Sequence, residues 1–136
     1  MPAHLEIEHW EGRKTKRERI DFPSVAVLRG RLAGLDGDKV DAVWVEVDGV
    51  GSLSVGGGPD NFVVVSFPAD GSSSHIEADN LQAGRVELQV GGQTGVYPSA
   101  MVLSRKLAFS IAEHFLLSGA YDPALKWVQD CPPGDV

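Results

Sequence analysis

Residues 41–67 read DAVWVEVDGVGSLSVGGGPDNFVVVSF. Val43, Val45 and Val47 alternate with Trp44, Glu46 and Asp48, the period of two expected of a half-buried strand. A second short run, Ser52–Val55, follows the Gly49–Gly51 turn. A third, Asn61–Phe67, is apolar on both faces, with Phe62 and Val64 on one and Val63, Val65 and Phe67 on the other, which predicts a central, covered strand. Short strands joined by glycine-rich turns pair antiparallel, because parallel neighbours need a crossover of a dozen or more residues.

Working outward, His4, Glu6, Glu8 and Trp10 alternate with Leu5, Ile7 and His9, so residues 3–10 read as a first strand. Residues 13–19, RKTKRER, hold five of the twelve basic residues and read as a solvated loop. They lack the interleaved aromatics that would stack on single-stranded nucleic acid. A helix is predicted over 22–34, capped by Asp21 with Pro23 in its first turn. Val25, Leu28, Leu32 and Leu35 supply its buried stripe, and Gly34 and Gly37 mark its end.

On the other side, His75–Asp79 and Arg85–Val90 alternate again, Gly91-Gly92 breaks the chain, and Thr94–Tyr97 is expected to continue the sheet. A second helix is predicted over 104–118. Ser104 is its N-cap, Leu107, Ala108, Ile111, Ala112, Phe115 and Leu116 recur on one face, and Gly119 is the left-handed stop. Pro132–Val136 reads as a frayed tail. The expected fold is α+β: a single domain over 1–136, a curved antiparallel meander with helices 22–34 and 104–118 packed on one face.

No apolar run approaches the roughly 20 residues of a membrane span. The start, MPAHLEIEHW, lacks a basic segment followed by an apolar core. Cys131 is the single cysteine, so no internal disulfide forms. These features point to a cytoplasmic protein without a membrane partner. Net charge is −7, concentrated in the middle: residues 36–87 carry ten acids against Lys39 and Arg85. Such a segment repels nucleic acid and attracts basic partners.

No constellation for catalysis emerges. Gly56-Gly57-Gly58 runs into Pro59-Asp60 and a strand, with no helix and no lysine, so it reads as a hairpin connection and not a phosphate cradle. His4, His9, His75 and His114 form no zinc-type spacing, and no metal or cofactor is expected. Glu46 with Asp48, and Glu77 with Asp79, share strand faces simply because polar residues recur every second position. No GxSxG elbow exists. Trp44 falls on the face of Glu46 and Asp48, where an exposed indole ringed by acids would anchor a basic partner.

The C-terminal half resembles a bacterial polymorphic-toxin immunity family, one often encoded beside deaminase-fold toxins. The residues that carry the resemblance are Val102-Leu103-Ser104, Ala108, Ala112, Phe115-Leu116, Gly119 and Trp127, together with the glycine-separated strands of Leu53–Val65. The N-terminal third, RKTKRER included, lies outside it. The resemblance implies a non-enzymatic protein that binds and silences a cognate toxin domain. On that reading the toxin-binding residues are Trp44, Glu46, Asp48, Asp60, Glu77 and Asp79, with the loop Gly119–Lys126 as a competing site. The alternative is a small ligand-binding or accessory domain with a pocket between the sheet and helix 104–118.

Overall fold

The computed structural model describes residues 2–78 and 84–131. It is α+β: antiparallel strands carry two helices on one face of the main sheet. The strands are β1 (Ala3–Glu11), β2 (Lys14–Asp21), β3 (Val40–Val47), β4 (Gly51–Gly57), β5 (Asn61–Pro68), β6 (Ser73–Ile76), β7 (Arg85–Val90), β8 (Gln93–Pro98), β9 (Leu103–Ser104) and β10 (Trp127–Cys131). The helices are α1 (Val25–Ala33) and α2 (Arg105–Ser118). The main sheet runs β10-β6-β5-β4-β3-β1-β2, and β9 pairs with the Asn61–Phe62 end of β5. A meander therefore covers β3 to β6, and the chain termini extend it at both edges.

Burial explains the layering. Leu5, Ile7, Val43, Val45, Val47, Leu53, Val55, Phe62 and Val64 form one face, which packs on Leu28 and Leu32 of α1 and on Ala108, Ile111, Ala112 and Phe115 of α2. Each strand contributes alternate residues, as the pleat requires. The short strand β9 fixes α2: Ser104 pairs with Asn61, and its Oγ then accepts the Leu107 N–H at 3.2 Å as N-cap. Gly119 ends the helix with φ +66°, its N–H bonded to the Phe115 carbonyl.

Several expectations need correction. RKTKRER is a strand and not a loop: residues 14–21 pair along the whole of β1, with Glu6 opposite Arg19 and Glu8 opposite Arg17. Cross-strand charge pairing stabilises a strand that has little apolar alternation of its own. Asp21 is consumed in this ladder, opposite His4, and its carboxylate takes Arg19 at 2.9 Å. Ser24 caps α1 instead, accepting from Val27 at 3.1 Å, and the helix starts at Val25.

Residues 93–98 do not continue the main sheet. With β7 they form a separate two-stranded sheet. This hairpin rests on the face opposite the helices, where a Cβ at Gly56 would collide with Val90, so only glycine admits the approach. Finally, Trp127 opens a strand that pairs with β6. The predicted strand 75–79 ends at Ile76, and Asp79 and Pro132–Val136 lie outside the described residues. No helix among the described residues is long and apolar enough to cross a membrane.

Candidate functional site: the open face of the sheet

The face opposite the helices is built from the other half of each alternation. One row across it reads Arg19, Glu6, Trp44, Ser54, Val65, His75 and Val128. The neighbouring row reads Asp21, His4, Glu46, Ser52 and Phe67. Among the described residues, the β7–β8 hairpin covers the far end, over Gly56.

Trp44 and Glu46 lie on this face, both half-buried. Trp44 is not bare. The Arg17 guanidinium sits 5.1 Å from its ring centroid and is itself held by Glu8 at 2.7 Å, with Glu6 at 3.8 Å. This hydrogen bond from Arg17 to Glu8 raises the Arg17 pKa above its ordinary value. The basic segment thus neutralises the acids nearest Trp44. Glu46 faces His4, whose Nε2 is 3.4 Å from Glu46 Oε2 and 3.8 Å from Glu6 Oε2.

Asp48 is exposed in the turn after β3, with its N–H bonded to Pro2. Asp60 is exposed in the turn between β4 and β5, at the opposite end of β4, so the fold does not bring it together with Asp48. Glu77 lies just past β6. His75, three strands from Trp44 or about 14 Å at ordinary strand spacing, is buried between two carboxylates. Its Nδ1 is 2.7 Å from Asp130, and its Nε2 is 2.9 Å from Glu77. The bond with His75, reinforced by the Lys126 charge, lowers the Glu77 pKa below the ordinary carboxylate value, against a smaller opposing effect of burial. Both ring nitrogens are occupied, so this imidazole offers no free nitrogen to a substrate.

Asp41 differs most from its expected role. Counted among the acids of the middle segment, it is fully buried. It accepts from Trp10 Nε1 at 3.1 Å, Gln89 Nε2 at 3.0 Å and the Gly92 N–H at 2.7 Å. The cause is a bulge: Ile7 pairs with Val43 but His9 pairs with Val40, so β3 carries an extra residue where Asp41 sits. Asp41 thereby ties the β7–β8 hairpin to β1.

The interface between sheet and α2 is filled by side chains, with Phe62 edge-on to Phe109 and Phe115 stacked on Tyr121. A cleft of about 910 Å³ lies elsewhere, between the β1–β2 turn, the chain leading into β3 and the hairpin. His9, Trp10, Arg13, Asp38 and Lys39 line it. The loop Gly119–Lys126 is anchored: Tyr121 donates to the Ser52 carbonyl at 2.8 Å, and Trp127 Nε1 donates to the Asp122 carbonyl at 2.8 Å.

No family model matches the sequence, and no curated protein matches it. Among solved structures the chain is similar to a hypothetical protein from Neisseria gonorrhoeae, at 10% identity and a TM-score of 0.56, over 92% of this chain and 94% of the other. That likeness extends along nearly the full length of both chains and is one of fold.

Proposed function

We propose that this protein is an immunity protein that binds a cognate bacterial toxin domain, such as a nucleic-acid deaminase, and silences it by occluding the active site. The observation that carries this reading is the sheet face opposite the helices, where Trp44 and Glu46 are half-buried among charged side chains, bordered by Asp48 and Glu77. Its likeness in residue order to the immunity family, through Ser104, Gly119 and Trp127, supports the same reading. The protein acts in the cytoplasm, by contact and not by catalysis. The toxin surface it meets is basic, as a nucleic-acid substrate groove must be.

In this reading Trp44 anchors the complex, and the acids at 46, 48, 60, 77 and 79 set on-rate and orientation. Arg17 must swing off Trp44 or be covered with it. The test is association kinetics with the toxin domain at two salt concentrations. Reversing the charge of Glu46 and Asp48 slows association and flattens its salt dependence, and Trp44→Ala speeds dissociation. Unchanged kinetics in all three folded variants would move the interface elsewhere. A ligand-binding accessory domain is the second reading, favoured by the cleft beside Trp10; line broadening of Trp10 and Lys39 signals on adding small anions would support it.

A further inference from the structure

We propose that His4, Glu6 and Glu46 form a binding site for a divalent transition-metal ion such as Zn2+. The inference is independent of the toxin reading. Two facts of sheet geometry assemble the site. His4 and Glu6 are two apart on β1 and therefore share the open face, and the β1–β3 register sets Glu46 directly opposite His4. One ligand atom from each residue lies within 4.8 Å of the other two.

The spacing separates this group from the other histidine–carboxylate pairs. His9 meets Glu18 at 3.0 Å, and His75 meets its two carboxylates at 2.7 and 2.9 Å, all normal hydrogen-bond lengths. The His4 ring stands off at 3.4 Å from Glu46 and 3.8 Å from Glu6. Ligands about 2.0–2.1 Å from a shared tetrahedral zinc are about 3.3 Å apart. The group is thus spaced more like atoms around a common ion than like partners sharing a proton.

The donor set narrows the ion. One imidazole with two carboxylates suits zinc, whereas calcium and magnesium favour all-oxygen cages. The His4 side chain is 15% exposed and Glu46 46%, so the site opens to solvent on the Glu46 side, leaving a fourth position for water or an external ligand. Glu6 is oriented through its second oxygen, which faces Arg17. Arg17, and Arg19 beside the same carboxylates, repel a cation and weaken the site.

The experiment is calorimetric titration of Zn2+ into the chelator-stripped full chain, repeated with Co2+, whose visible absorption reports the ligand field. One saturable site is expected. Glu46→Gln and His4→Gln each weaken it at least about tenfold and remove the cobalt band, while His9→Gln binds like the parent. Thermal melts by circular dichroism establish that each variant is folded, and Glu6→Gln replaces His4→Gln if the latter is not. Absence of saturable binding would overturn the proposal, as would binding unchanged in either of the two folded ligand variants.

Discussion

At the level of single residues, Asp41 and Tyr121 carry structural loads that their types alone do not announce. Asp41→Ala would leave the Trp10 indole N–H and the Gly92 N–H without their acceptor and take from the Gln89 amide one of its two acceptors, the other being the Asp38 carbonyl. Stranding several donors of a charge-assisted network costs about 3 kcal/mol. Urea unfolding followed by tryptophan fluorescence measures the loss, and a cost near zero would mean that the hairpin is not held by this carboxylate. Tyr121 is pushed up to about 12, by burial first and then by the Asp70 charge. The folded state thus holds the phenolic proton more tightly than the unfolded chain, whose value is 10.0. The linked stability is fully present below pH 10 and falls as pH rises towards about 12. Urea midpoints measured across that window should fall less steeply in Tyr121→Phe than in the parent. At neutral pH that variant loses the bond to Ser52, about 1 kcal/mol.

At the scale of elements, α2 was legible in the sequence from end to end. Ser104, the apolar stripe and Gly119 are three independent local signals that agree, and each acts within the helix itself. Ser104→Ala should cost about 1 kcal/mol through the lost cap. Phe115→Ala should cost about 3–5 kcal/mol through the cavity left beneath Tyr121. Chemical melts of the two variants check both, and a neutral Phe115→Ala would contradict the assigned face. β2 was misread for the opposite reason. Its stability comes from its neighbour: Arg17 and Arg19 answer Glu8 and Glu6 on β1, and no apolar period advertises the pairing. The Gly12 turn between an acidic and a basic run was the signal available. β10 was missed likewise, because its partner β6 is distant in sequence. Asp41 escaped notice because the alternation of β3 says nothing of the bulge that turns its carboxylate towards the hairpin.

At the scale of the whole molecule, the layering followed from the valine alternation in β3, because burying one face of a sheet decides where the helices go. The strand order did not follow, since nothing local says that β1 inserts between β2 and β3. The same gap hid the grouping of His4 and Glu6 with Glu46, which exists only through that insertion. The face so assembled carries Trp44 beneath the Arg17 guanidinium and side chains of both charges. The most direct measurement of the central proposal is co-expression with the proposed cognate toxin domain, scoring growth and co-purification together. The account predicts that the parent restores growth and retains the toxin through purification, and that Trp44→Ala with Glu46→Lys does neither while remaining folded. Toxicity undiminished by the parent, with no complex recovered, would contradict it.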